Sequence, residues 1–301
     1  MPRIVVLGSL NMDLLLRVEH IPAEGETILG SAFLMLPGGK GANQAFAVAK
    51  LSRGPVSMIG VVGNDLFGEA LLNSLASVGV DTSMVSKVNN ASTGVATITV
   101  DSKGQNSIIV ASGANFAWPE ARSFSFDTAG YALFQLETPL DIVQAALKQA
   151  RGAGAFTILD PAPAQALPPE ILRTVDLITP NESEACLLAN ETPRELSVDD
   201  AMQLARRIQA SGAKRVIVKL GSKGSLYLGS DESIHVPSLP VAVVDTTAAG
   251  DTYNGALAVA LSEGREMADA MKFASASASL SVTRPGAQAS MPSRAEVESI
   301  L

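Results

Sequence analysis

The sequence predicts an α/β fold: a mostly parallel sheet flanked by helices in three layers, with a small separate β-sheet. Three observations carry this. Short aliphatic runs recur, at Ile4–Leu7, Val56–Val62, Ala132–Leu136, Phe156–Leu159, Leu177–Ile178 and Val216–Leu220, and each ends near Gly, Asn, Asp or Pro. Helix-length stretches lie between many of them, at Ala42–Leu51, Phe67–Val78, Leu140–Ala150 and Asp199–Ser211. Strands alternating with helices imply right-handed βαβ units. Two regions, Leu14–Leu36 and Thr93–Val110, hold alternating β-branched segments without helices. The second reads as a hairpin turning at Asp101–Gly104. Such strands fit poorly into a parallel core, so they form an accessory sheet, a lid, from segments about 11–36 and 92–111.

The 301 residues are 47% apolar but only 4% aromatic. Ala, Val, Leu and Ile therefore carry the hydrophobicity, as suits strands buried on both faces. One domain over 1–301 is the expected organisation. The net charge of −8 and the lack of a basic cluster exclude nucleic-acid binding by phosphate neutralisation. A small anion such as ATP stays compatible, since backbone N–H groups and a metal can hold it. Cys186 is the single cysteine, and His20 and His235 lack zinc-ligand spacing, which points to a reducing compartment. Both histidines are expected in surface loops, with no role assigned. No apolar run reaches the roughly 18 residues of a membrane span. A cytoplasmic protein is expected.

The densest chemical signal is Val243-Val-Asp-Thr-Thr-Ala-Ala-Gly-Asp-Thr-Tyr-Asn-Gly-Ala256. A strand at Val241–Val244 is expected to run through small residues into a helix from about Gly250 to Leu261. Ala248, Ala249 and Gly250 would let an anion approach the backbone. The N–H groups of Ala249, Gly250 and Asp251 would face it at the helix N-terminus. Asp251, in the first turn, would accept a proton from an attacking hydroxyl. Taken alone, it also suits a helix start.

Pro37-Gly-Gly-Lys-Gly-Ala-Asn43 opens another helix but lacks the spacing of a P-loop. Gly38 and Gly39 read as a hinge or a ligand approach, and Asn43 as a hydrogen-bonding partner for a polyol. Asn11 and Asp13 face one side at the expected end of the first strand, where sugar hydroxyls would suit them, or they form a polar turn. Asn181 and Glu184 have the spacing of a capping box; alternatively they organise water around Mg²⁺. Lys219-Leu-Gly-Ser-Lys-Gly224 is a turn that holds nucleotide or merely joins two strands. Glu137 follows a strand and is either buried near the site or exposed.

Taken in order, GGKGANQA, VGNDLFGE, STGVATITVDSKGQN, LFQLETPL, DPAPA, ITPNESEA and DTTAAGDTYNGAL resemble the ribokinase family of carbohydrate kinases. The resemblance runs from Gly8 to Gln288 and implies a Rossmann-like, ribokinase-like fold. It implies transfer of the ATP γ-phosphoryl to the primary hydroxyl of a sugar, with O5 of D-ribose favoured. Fructose, a deoxysugar acid or a nucleoside stand as alternative acceptors. A non-catalytic sugar- or nucleotide-binding protein ranks lower, and a dinucleotide-binding oxidoreductase, lacking G-x-G-x-x-G, ranks last.

By the same resemblance, Asp251 matches the catalytic base, and Ala248, Ala249, Gly250 and Asp251 the anion hole. Asn11, Asp13, Gly39, Lys40, Asn43 and Glu137 match sugar contacts. Asn181 and Glu184 match the nucleotide and Mg²⁺ motif, Glu184 acting through water. Lys219, Gly221 and Gly224 fall in the nucleotide loop, with Gly250 beside the phosphates and Ser275 toward adenine. Asp245, Thr247, Ser281, Arg284, Gly286 and Ser290 surround a monovalent-cation site, usually K⁺, mostly through backbone carbonyls. A homodimer through the lid sheet is also implied. The chain departs from the family pattern at Lys219, where Thr is usual, at Asp160, where Asn is usual, and at Ser275, where a larger polar residue is frequent.

Overall fold

The computed structural model describes residues 1–120 and 124–301. From the N-terminus run β1 (Arg3–Leu7), β2 (Asn11–Arg17), β3 (Ala32–Gly38), α1 (Lys40–Leu51), β4 (Val56–Gly63), α2 (Leu66–Ser77) and β5 (Val80–Val88). Next come β6 (Gly94–Val100), β7 (Asn106–Ala111), β8 (Ala129–Phe134), α3 (Leu140–Gly152), β9 (Phe156–Leu159), α4 (Pro169–Thr174) and β10 (Leu177–Ile178). The chain ends with α5 (Glu182–Leu188), α6 (Val198–Ala210), β11 (Val216–Lys219), β12 (Ser225–Leu228), β13 (Ser233–Val236), α7 (Ala249–Ser262), α8 (Met267–Ser281) and α9 (Arg294–Glu298).

Nine strands form one sheet in the order β13-β12-β11-β10-β9-β8-β1-β4-β5. From β11 to β5 the pairs are parallel, and β12 and β13 close one edge antiparallel. Side chains of β1 alternate between two cores. Ile4 and Val6 pack with α1, α7 and α8, while Val5 and Leu7 pack with α3, α5 and α6. A strand buried on both faces must be apolar at every position, which explains the aliphatic runs. The second sheet has the order β3-β2-β6-β7 and contains the hairpin across Asp101–Gly104.

Four details differ from the sequence reading. Asn11 and Asp13 do not end β1; they begin β2, in the four-stranded sheet. The chain leaves β1 at Leu7 and re-pairs at once with β3 and β6. Val241–Val244 is not a strand. Val243 and Val244 are exposed, and the Val244 and Asp245 N–H groups donate to the Val282 carbonyl at the end of α8, not to a sheet neighbour. β5, whose outward face is polar, is an edge strand that the aliphatic runs did not reveal. His235 lies in β13, with its ring on the exposed side of an edge, while His20 is exposed beside Glu26.

The contact that positions the site is between α1 and α7. A Cβ built on Gly255 would stand 2.7 Å from Ala47 Cβ and 3.1 Å from the Gln44 carbonyl oxygen. Only glycine permits this approach. α7 is buried from Asp251 to Ala260 and is built mostly of small residues, so neighbours crowd it on every side. Gly255→Ala should therefore destabilise the protein by about 1–3 kcal/mol, as overpacking usually does. Urea unfolding checks this; wild-type stability in the variant would contradict the close approach.

Candidate active site

α7 begins at Ala249 behind Ala248, a non-glycine residue in the left-handed region with φ 58° and ψ 17°. That conformation costs about 1 kcal/mol or more and tends to persist where a site needs it. The Ala249 N–H donates to the Thr246 carbonyl at 3.2 Å, and the Thr252 N–H to the Ala248 carbonyl at 2.8 Å. Among the described residues, no acceptor faces the N–H groups of Gly250 and Asp251. The expected anion hole is thus narrower by one donor: the turn at Ala248 consumes Ala249. Two free N–H groups at the positive end of a 14-residue helix remain suited to a phosphoryl group.

Asp251 is buried and points at α1. Asn43 Nδ2 donates to Asp251 Oδ2 at 3.2 Å, and Gln44 Nε2 donates to Asp251 Oδ1 at 3.1 Å. Both amides are themselves oriented. Gln288 Nε2 donates to Asn43 Oδ1 at 3.3 Å, and Gln135 Nε2 donates to Gln44 Oε1 at 2.6 Å. Gln44 Nε2 also reaches Asp160 Oδ2 at 3.0 Å. The pKa of Asp251 is raised to about 6: burial is the main cause, Lys40 opposes it, the Asp160 carboxylate adds to it, and the two amides act in the lowering direction. Such a group is ionised at neutral pH, yet it is more basic than an exposed aspartate.

Asn11, Asp13, Gly39, Lys40 and Glu137 gather beside it. Asn11 is buried, and its Oδ1 accepts from Asn115 Nδ2 at 2.7 Å. Glu137 Oε2 accepts from Ser9 Oγ and, at 3.0 Å, from the Lys40 backbone N–H. Glu137 thereby pins the start of α1 to the end of β8. Gly39 has φ 89°, and a Cβ there would stand 2.6 Å from the Asn11 nitrogen. The β3-to-α1 turn can therefore lie flat against β2. Asp13 is pushed up to about 7 by burial and by the Glu137 and Asp251 carboxylates. Burial alone would lower the Lys40 pKa. The carboxylates of Asp251, Asp160, Glu137 and Glu184 outweigh it and hold the ammonium charged.

On the other side of Gly250 lie two adjoining cavities of about 460 and 530 Å³. The smaller is polar and holds Lys40, Asp160, Asn181, Glu184 and Asp251. The larger is mainly apolar, walled by Leu239, Val241, Val243, Ala278 and Val282, with Ser275 and Gly224 in its lining. Ser275 is spoken for by the Pro237 carbonyl at 3.3 Å. Lys219 and Gly221 line both cavities. Asn181 and Glu184 form a reciprocal capping box at the start of α5. The functional alternative survives this: Glu184 still faces the polar cavity. Burial raises its pKa, Lys219 opposes that shift, and Asp160 adds to it.

The loop before α7 is tied to the loop after α8. Asp245 Oδ1 accepts from the Thr247 N–H and hydroxyl at 2.9 and 2.6 Å, while Oδ2 accepts from the Gly286 N–H at 2.8 Å. These bonds hold its pKa low despite the burial that would raise it. Ser281 and Ser290 donate their hydroxyls to the Ala278 and Ala287 carbonyls, both at 2.8 Å. Arg284 pairs with Glu296 at 2.6 Å.

Sequence reasoning did not single out Gln44, Gln135, Gln288, Ser9 or Asn115, which orient the candidate site residues. Gln44 adjoins Asn43 in GGKGANQA and was within reach; the others arrive from distant segments that only the fold brings together.

Small-residue helix N-terminus, buried carboxylate and split cavity together define a phosphotransferase-type site. The pattern of the pfkB family carbohydrate kinases matches residues 1–294, and the chain belongs to that family. It is 40% identical over 309 residues to the ribokinase of Schizosaccharomyces pombe, covering 99% of this chain and 97% of that one. It is 39% identical to the ribokinase of Bacillus subtilis, over the full length of both. The ribokinase of Arabidopsis thaliana, solved with ribose and ATP, superposes with a TM-score of 0.93 at 39% identity, covering 99% of this chain and 98% of that one.

The Asp251 carboxyl has a folded pKa of about 6 against an ordinary value of 3.8. Its contribution to stability is therefore full below the ordinary value and is lost as pH rises through about 6. Asp251→Asn cannot ionise. Relative to wild type, it should gain up to roughly 3 kcal/mol between about pH 4 and pH 7.5. Urea unfolding at both pH values checks this; a pH-independent difference would contradict the assignment.

Proposed function

We propose that this chain is an ATP-dependent ribokinase, converting D-ribose to D-ribose 5-phosphate. One observation carries the reading: a buried carboxylate of raised pKa lies beside two free N–H groups at the start of α7. The ribokinase relatives, aligned over nearly their whole lengths, support ribose as the acceptor.

In the proposed reaction, the sugar lies against Asn11, Asp13, Lys40, Asn43 and Glu137, with its primary hydroxyl toward Asp251. Asp251 takes the hydroxyl proton as the sugar oxygen attacks the γ-phosphorus. The new O–P bond forms as the bond to the β-phosphate bridging oxygen breaks, and ADP leaves with that electron pair. The Gly250 and Asp251 N–H groups and Lys40 stabilise the charge on the moving phosphoryl. The apolar cavity takes the adenine, beside Ser275, and Lys219, Gly221 and Gly224 flank the phosphates. Residues 1–301 act as one catalytic unit, with the four-stranded sheet as a lid that excludes water.

Glu184 and Asn181 fit a Mg²⁺ held largely by nucleotide phosphates and water, because the carboxylates facing the polar cavity outnumber its ammonium groups. When bound, that ion would neutralise phosphate charge. K⁺ would lie between the loop holding Asp245 and Thr247 and the loop from Ser281 to Ser290, which includes Arg284 and Gly286, as the family resemblance implies. There it would stabilise the turn that aims Gly250. The exposed apolar side chains Phe33, Met35, Ile108 and Ile109 on the two edge strands of the small sheet support a homodimer through that sheet. Among the described residues no helix is long and apolar enough to cross a membrane, which agrees with a cytoplasmic location.

ADP release from ATP and Mg²⁺ tests the reading. The panel is ribose, fructose, deoxyribose, 2-keto-3-deoxygluconate and adenosine, each with K⁺ and with Na⁺. Ribose should give the highest kcat/KM, and K⁺ should raise it. Preference for another acceptor would move the chain to a sister activity; ligand binding without turnover would indicate a non-catalytic protein.

A further inference from the structure

We propose that Lys219 is a phosphate-binding side chain of this enzyme and that Asp160 is the positioning residue that holds it, and with Gln44 the base Asp251, in one buried chain. The inference rests on the kinase reading above and deepens it. Lys219 and Asp160 lie 59 residues apart in sequence, and the fold brings them together. Lys219 ends β11 and Asp160 follows β9, strands separated in the sheet by β10 alone. Lys219 Nζ donates to Asp160 Oδ1 at 2.8 Å, with side-chain exposures of 13% and 3%.

A buried pair can be merely structural, but its placement argues for more. Lys219 stands at the carboxyl end of its strand, the edge where ligands bind in open α/β sheets. Its Nζ is 3.5 Å from where a Gly250 Cβ would lie, beside one of the two free N–H groups at the start of α7. It lines both the apolar and the polar cavity, so it stands at the neck that a nucleotide joining the two must cross. An ammonium has three donors, and Asp160 takes one. The remaining donors are left for a ligand in the cavities that Lys219 lines. An ammonium there is a charged partner for phosphate oxygens, and charge-assisted bonds are roughly twice as strong as neutral ones.

Asp160 serves both ends of the chain. Its Oδ1 fixes Lys219 and its Oδ2 accepts from Gln44, whose same amide nitrogen donates to Asp251. With Asn at this position one acceptor oxygen and the charge would be lost, so it could not serve Lys219 and Gln44 equally and would hold the lysine less firmly.

The test is calorimetric, on the full-length protein, with AMP-PNP and with D-ribose as separate ligands. The variants are Lys219→Met, Asp160→Asn and their combination, which removes both charges and so leaves no unpaired buried ion. Lys219→Met should weaken AMP-PNP at least about tenfold while ribose affinity stays within about twofold. In the Asp160→Asn background the same substitution should cost AMP-PNP affinity clearly less, because the lysine is no longer held. Unchanged AMP-PNP affinity in Lys219→Met, or parallel loss of both ligands in it and in the combined variant, would overturn the phosphate role. Equal cost in both backgrounds would overturn the positioning role. A wild-type protein that binds neither ligand would instead sink the kinase reading itself.

Discussion

An ionisable carboxylate inside a protein needs donors that are already in place. Here those donors sit on a different helix from the carboxylate. Asp251 belongs to α7, Asn43 and Gln44 to α1, and their hydrogen bonds form only because the two helices touch at Gly255 and Ala47. Asp251 and Gly255 are one turn apart on α7, as are Asn43 and Ala47 on α1, so the backbone contact and the polar contact are successive rungs of one interface. The small residues of α7 thus serve two ends. They leave the backbone of the first turn open to approach, and they let α1 come close enough to hold the Asp251 carboxylate.

Charge sets the second constraint. Asp13, Glu137, Asp160, Glu184 and Asp251 converge on Lys40 and Lys219. Neighbouring carboxylates add to the burial that raises the pKa of Asp13, Glu184 and Asp251, and the ammonium of Lys40 stays charged among them. The proposed ATP would add further negative charge, which the proposed Mg²⁺ would offset. Pairing Lys219 with Asp160 lets the chain carry a second, partly buried cation without leaving it uncompensated.

The sequence made the central layers legible, because strands buried on both faces must be aliphatic and the intervening helices amphipathic. β9 falls where the pattern put it, and α1, α2, α3 and α6 fall within two residues. β5 escaped because an edge strand is half polar, and Val241–Val244 misled because β-branched residues favour a strand only where a partner waits. The small residues of Ala248–Asp251 announced an anion site. They did not announce the left-handed turn at Ala248, which spends the Ala249 N–H on Thr246. The polar scaffold behind the base was hidden more deeply. Gln135 and Gln288 come from segments far from Asn43 and Gln44 in sequence, and nothing local marks a glutamine whose role is to orient another amide. Lys219 and Asp160 stood out as separate departures; that they neutralise each other is a fact of the sheet order.

The claim on which the rest hangs is that Asp251 accepts the proton of the attacking hydroxyl. The most direct measurement is kcat for Asp251→Asn with saturating ribose and ATP, set beside its ribose affinity. A general base accounts for roughly 100-fold or more in rate. The account predicts a fall of at least that size with ribose affinity little changed. Turnover near the wild-type rate would contradict it and leave Asp251 as no more than a buried helix-terminal carboxylate.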